Sequence, residues 1–281
     1  MKMMKQKSSK IGLALSGGAA KGLAHIGVVK ALEEADTPID FVAGTSMGAM
    51  VGACFAHDGE ISVIEEVALN IGWEQLTRLL DPRFSFLGKG LIRGQRIEAL
   101  LRALIGDAEF KDLKIPLALV ATDVNSGQEV IFRKGPVVQS VRASISIPGV
   151  FVPVTLEGRC LVDGGLVNPV PVDILRDMGA KFIIASNVIT EKSTNPVISK
   201  KCNAASIPNI FHTLIQSLHI MEYEIIKLKT LNADVIITPD VSHIEAYDFH
   251  RGEEAIQAGY DAARKAIPKI QNFIKSSINP P

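Results

Sequence analysis

No stretch of the chain limits the fold as much as Gly44-Thr45-Ser46-Met47-Gly48, which follows a short strand over Ile39 to Val42 and opens a helix over Ser46 to Ala56. A serine on a sharp strand-to-helix turn projects its hydroxyl above the sheet edge. Small residues on either side, here Gly44 and Gly48, allow the close approach that a substrate carbonyl needs. The helix N-terminus behind it favours developing negative charge. An ordinary tight turn in a glycine-rich chain can carry the same string, so the flanking elements decide between the two readings. They supply a strand before Ser46 and a helix after it, and Ser46 is read as a candidate nucleophile.

The chain on both sides repeats this alternation. Ile11 to Leu15 is an apolar strand running into Ser16-Gly17-Gly18 and a helix over Ala19 to Ala35. Helices are expected within 60 to 80, stopped by Asp81-Pro82, and over Gln95 to Leu104. Ile115 to Ala121 and Glu129 to Phe132 read as strands around the turn Asn125-Ser126-Gly127. Val137 to Ile147 reads as a helix closed by Pro148, and Val150 to Thr155 with Arg159 to Val162 as a hairpin. A helix over Val172 to Met178, a strand over Lys181 to Val188, a long helix over Ile210 to Lys229, a strand over Ala233 to Thr238 and a helix over Gly252 to Ile267 complete the pattern. Alternating strands and helices, with several strands purely apolar, argue for an α/β fold whose mainly parallel sheet is covered on both faces. No internal repeat is found.

At 281 residues, 47% hydrophobic and 21% charged, the chain can bury a large core, and 11 to 281 is expected to form one domain. The 30 basic and 30 acidic side chains cancel, which removes the long-range attraction that a non-specific nucleic-acid binder uses. Cys54, Cys160 and Cys202 are odd in number and far apart, matching neither a disulfide framework nor a metal or redox pair. A reducing, cytoplasmic setting is therefore expected. Residues 1 to 10 form a basic arm, and the apolar run after it is too short for a secretory core. Ala43 to Ala56, the longest uncharged apolar segment, is too short to span a bilayer, so membrane contact is expected to be peripheral and transient if it occurs. The polar stretch 190 to 207 reads as a mobile loop.

Two more motifs bear on chemistry. In Ser16-Gly17-Gly18-Ala19-Ala20-Lys21-Gly22, the consecutive amides of Gly17, Gly18, Ala19 and Ala20 can form an anion-binding nest, which an acyl-transfer site needs for its oxyanion. Nucleotide phosphate is the competing ligand. However, Lys21 precedes Gly22 and Leu23 instead of following the Walker order, and G-x-G-x-x-G is absent. Val162-Asp163-Gly164-Gly165 places an acid at the end of an apolar strand, where open α/β sheets gather their sites; simple turn capping is the plain alternative. The six histidines and three cysteines form no local metal signature, so neither metal nor cofactor is expected. Phe84, Phe86, Leu91 and Ile92 could line an acyl groove, with Lys89, Arg93 or Arg96 meeting a phosphate or a surface, which would make 83 to 96 a lid; core anchoring and solvated cations explain the same residues.

Together these pieces resemble the patatin-like phospholipases, including their smaller bacterial members. The resemblance rests on Gly17 to Gly22, Gly44 to Gly48 and Asp163-Gly164-Gly165 in that order, extended by Gly165 to Pro171, and covers about Lys10 to Asp177. Ala19 departs from the family's third glycine, yet an alanine still offers the backbone N–H. The resemblance implies a three-layer α/β/α fold and a Ser46-Asp163 dyad with an acyl-serine intermediate. It also implies an oxyanion hole from the Gly17 to Ala20 amides, with Lys21, Gly22, Gly44, Gly48, Gly164 and Gly165 in support. The implied substrate is a phospholipid, lysophospholipid or related lipid ester. A Ser-His-Asp arrangement with His243 or His250 is the chemical alternative, and a regulatory protein on a hydrolase scaffold the non-enzymatic one. His25, flanked by Ala24 and Ile26, reads as a packed or hydrogen-bonded histidine.

Overall fold

The computed structural model describes residues 10–70, 92–190 and 210–278. Among these residues, eight strands form one sheet: β1 (Ile11–Leu15), β2 (Phe41–Thr45), β3 (Leu117–Asp123), β4 (Glu129–Phe132), β5 (Val154–Leu156), β6 (Arg159–Asp163), β7 (Phe182–Ser186) and β8 (Val235–Ile237). Their order is β5-β6-β3-β2-β1-β7-β8, with β4 paired to β3. The pairs among β3, β2, β1, β7 and β8 are parallel; β4, β6 and β5 add antiparallel pairs at one side. The helices are α1 (Ala24–Glu34), α2 (Met47–Asp58), α3 (Ser62–Asn70), α4 (Gln95–Ile105), α5 (Val137–Ser144), α6 (Val172–Asp177), α7 (Ile210–Lys229) and α8 (Gly252–Ile278).

β1, β2 and β7 are buried along their whole length, as parallel strands between two helical layers must be. Side chains alternate across the sheet, so Ile11, Leu13 and Leu15 join one core with α1, α2, α4, α5 and α8. Ala14, Ala43 and Ala118 face the other core with α6 and α7. The result is the three-layer α/β/α arrangement.

Several boundaries differ from expectation. β2 continues through Gly44 and Thr45, which are strand residues and not a turn, so Ser46 alone makes the corner. A 3-10 turn over Ala19–Leu23 precedes α1, because the glycine loop feeds into the helix through a tighter coil. α8 runs past the expected end at Ile267. Pro268 lies inside it and costs about 3 kcal/mol. Beyond it Ile270 is fully buried and Phe273 stacks on Phe182 with ring centroids 4.0 Å apart. Full burial of Ile270 returns about 1.5–3 kcal/mol, and the half-buried Phe273 adds its ring stack, which together offset the proline. The basic arm up to residue 9, the 190 to 207 loop beyond Thr190 and most of the 83 to 96 segment lie outside the described residues. Among the described residues, no helix is long and apolar enough to cross a membrane.

Candidate active site

Strand register brings the two principal candidates together. β2 sets Thr45 opposite Val120 of β3, and the next residue of β3, Ala121, sits opposite Asp163 of β6. One residue beyond Thr45, Ser46 stands level with Asp163. Ser46 Oγ donates to Asp163 Oδ2 at 2.6 Å. Ser46 and the glycine loop lie at the carboxyl ends of parallel strands, as expected, but β6 is antiparallel and delivers Asp163 from the opposite direction.

Ser46 has φ 55° and ψ −123°, a left-handed corner that costs about 1–3 kcal/mol for a non-glycine residue. Surrounding bonds hold it there: the Ser46 N–H donates to Ser144 Oγ at 2.9 Å, and the Thr45 hydroxyl donates to the Asn168 carbonyl at 2.8 Å. A Cβ at Gly48 would lie 2.3 Å from the Leu15 carbonyl oxygen, and one at Gly44 2.4 Å from the Gly48 carbonyl oxygen. Both glycines are thus where α2 presses its first turn against β1 and β2.

Asp163 Oδ1 accepts the Gly165 N–H at 2.8 Å, which leaves Oδ2 turned toward the serine. Burial pushes this carboxyl up to about 6, against the pull of its bonds from Ser46 and Gly165. Gly164, immediately after it, packs against the Val120 carbonyl.

The glycine loop divides into two kinds of residue. Gly17 donates its amide to the Pro169 carbonyl at 3.0 Å, and Ala20 to the Ala246 carbonyl at 3.1 Å. Both were expected to face an oxyanion, but the framework uses their hydrogens. Gly18 and Ala19 instead line the cavity above Ser46. Gly18 has φ 143° and Ala19 φ 49°, so the alanine standing where the family pattern has glycine accepts a left-handed backbone. Lys21 is buried, its ammonium lowered by burial and raised by Glu245 and Glu222, and Gly22 makes room for Met47.

Ser46 and Asp163 open on a cavity of about 400 Å³. Its walls are almost wholly apolar, with Met47, Met50, Ile64, Ile97, Leu104 and Phe151 among them. Of the expected groove residues, Ile92 lines this cavity, whereas Arg93 is exposed and its carbonyl accepts from buried Arg142. Phe84, Phe86, Lys89 and Leu91 lie outside the described residues. Arg142 also donates to the Val152 carbonyl, fastening two wall segments together. Sequence reasoning missed Ser144, Arg142 and the face of α7 that carries Ile215, Leu218, His219 and Glu222 into the cavity. The spacing of that face, 215, 218, 219, 222, is a readable helical stripe with a histidine and a glutamate in it.

The three histidines weighed from the sequence, His25, His243 and His250, lie away from the dyad's bond, and it is His219 that lines the cavity. His25 is fully buried: its Nε2–H donates to the Ser16 carbonyl at 2.9 Å and its Nδ1 accepts from the Ser186 hydroxyl at 2.8 Å. Burial brings it down to about 4, against that bond to Ser16. The unfolded chain therefore takes up its proton first as pH falls, so this stabilisation is complete above about 6.5 and lost toward 4. Chemical denaturation is expected to show wild type losing roughly 2–3 kcal/mol more than His25→Gln between neutral pH and the low end of that range. Equal pH dependence in both proteins would refute the assignment. His243 is exposed and pairs with Glu254, and His250 is also exposed. Among the described residues, no cluster of three or more His, Cys, Asp or Glu side chains is arranged to hold a metal.

A strained serine between a parallel strand and a helix, opposite a buried carboxyl, is the frame of a serine acyl hydrolase. A family profile described as patatin-like phospholipase matches residues 13–176. The chain belongs to the patatin-like phospholipase family, whose members are lipid-ester hydrolases. An uncharacterized NTE family protein of Mycobacterium bovis is 39% identical over 178 residues, 63% of this chain and 49% of that protein. The human patatin-like phospholipase domain-containing protein 6 is 35% identical over 190 residues, 66% of this chain and 14% of that protein. The chain thus spans about half the length of the mycobacterial relative and a small part of the human one. The crystal structure of VipD from Legionella pneumophila shares the fold at a TM-score of 0.53 and 15% identity, covering 93% of this chain and 67% of that one.

Proposed function

We propose that this protein hydrolyses the acyl ester of a phospholipid, lysophospholipid or related lipid through a Ser46-Asp163 dyad, without a histidine base. The observation that carries the reading is the direct 2.6 Å bond from Ser46 Oγ to Asp163 Oδ2 at the mouth of an apolar cavity. In acylation, Asp163 takes the hydroxyl proton as Ser46 Oγ bonds to the ester carbon. The Gly18 and Ala19 amides and the α2 N-terminus face the oxyanion. Collapse breaks the bond to the leaving alkoxide, which receives the proton from Asp163. Water then attacks the acyl-serine, Asp163 takes its proton and returns it to Ser46, and the fatty acid leaves. The cavity would hold the acyl chain, each buried methylene contributing about 0.8 kcal/mol. Transient contact with a membrane surface would supply the substrate.

Because Asp163 must be ionised to act, kcat/KM for a soluble ester is expected to rise with pH through about 6 and to reach a plateau by neutral pH. An ordinary carboxylate would reach its plateau about two units lower. A rise centred in that lower range, measured on stable enzyme, would count against a buried Asp163 as the base. Incubation with a long-chain fluorophosphonate followed by intact-mass and peptide mapping tests the nucleophile: one adduct on Ser46 is expected, and an adduct elsewhere or none would refute the reading. Either result also separates it from a regulatory role on an inactive scaffold.

A further inference from the structure

Glu222 reaches from α7 over the turn that carries the dyad's carboxyl. A Cβ at Gly165 would lie 2.2 Å from Glu222 Oε1 and 3.2 Å from Asp163 Oδ1, so the two carboxyls flank the same small space. Gly165 is the residue that leaves it open. Glu222 also lines the cavity beside Ser46, one helical turn after His219. We propose that Glu222 is a positioning residue of the site, forming with Asp163 a carboxyl pair that holds one proton in the working enzyme, so that Asp163 is the only anion at the turn.

Two like charges about one glycine in an apolar cavity do not both form readily, and such a pair loses its protons in two separate steps. Asp163 is the more easily ionised member, since it accepts from Ser46 and Gly165. Burial and then repulsion by Asp163 push Glu222 up to about 8, while Lys21 pulls it down. Lys21 in turn answers to Glu245 as well as Glu222. His219, brought to about 4 by burial and then by Lys21, stays neutral through the interval and adds no cation. The inference rests on Asp163 acting as the base, and it adds a reason for that role: the neighbouring acid stays uncharged until Asp163 has already ionised.

Infrared difference titration of the resting protein, with the whole 281-residue chain, reads the pair without turnover. Wild type is expected to show a protonated carboxyl at neutral pH that is lost with a midpoint near 8. Glu222→Gln should abolish that transition. Asp163→Asn should move it roughly one unit or more toward acid, because the repelling charge is gone. A transition that survives Glu222→Gln, or one that Asp163→Asn leaves in place, overturns the pair. In kcat/KM, Glu222→Gln should keep the midpoint of the acid limb near 6, and its profile should part from wild type above about 8, where only wild type gains a charge. Profiles that remain parallel there overturn its role in the working enzyme. Should Asp163→Asn stay active while the titrations behave as expected, the dyad reading fails and the carboxyl pair stands.

Discussion

Alanine at position 46 is expected to lower kcat for short p-nitrophenyl esters by roughly 10³ or more, because it removes the oxygen that forms the acyl intermediate. Two neighbouring hydroxyls are already engaged, Ser144 Oγ accepting the Ser46 amide and the Thr45 hydroxyl donating to the Asn168 carbonyl, so neither offers a substitute. The backbone corner at φ 55° remains strained with alanine, so the variant should fold with nearly wild-type stability. Ser46→Gly should be equally inactive but more stable by about 1 kcal/mol, since glycine accepts that corner without its cost. Circular dichroism and denaturation of both proteins, read beside a burst assay, check both halves. Undiminished turnover in folded Ser46→Ala would remove the serine from the mechanism.

Asp163→Asn is expected to be comparably severe, on the order of 10³ or more in the acylation burst, because an amide cannot accept the serine proton. The substitution keeps the side chain's shape, and its amide oxygen can still accept the Gly165 N–H. Loss of activity would therefore report chemistry rather than collapse of the turn. His25→Ala, His243→Ala and His250→Ala complete the comparison. His25 is occupied by Ser16 and Ser186, and His243 by Glu254, so each variant that folds should keep substantial kcat/KM. Stopped-flow measurement isolates proton removal from product release. A folded histidine variant that loses its burst while Asp163→Asn keeps it would restore the three-residue alternative.

Local sequence determined a good deal of this protein. The apolarity of Ile11 to Leu15, and of Phe182 to Ala185 within the strand expected over Lys181 to Val188, called for strands buried on both faces, and the β1 and β7 burial patterns agree with it. The order of glycine loop, serine elbow and strand-end aspartate pointed to the patatin-like family, because each motif is a short backbone requirement written in consecutive residues. The 20-residue helix Ile210–Lys229 was legible for a similar reason, its hydrophobic spacing being a local property. What the sequence left open depended on partners far along the chain. Gly17 and Ala20 look like their loop neighbours until the carbonyls of Pro169 and Ala246 take their hydrogens. Ser144 steadies the nucleophile from 98 residues away, and α8 continues past Pro268 where Ile270 is buried and Phe273 stacks on Phe182. Glu222 carries no sign in its own stretch that it faces the aspartate; only the packing of α7 over the Gly164-Gly165 turn brings two carboxyls to one glycine. Dihedral preference and hydrophobic period act over a few residues and can be read there, whereas hydrogen-bond assignment and electrostatic coupling are set by distances in space, which tertiary packing alone decides.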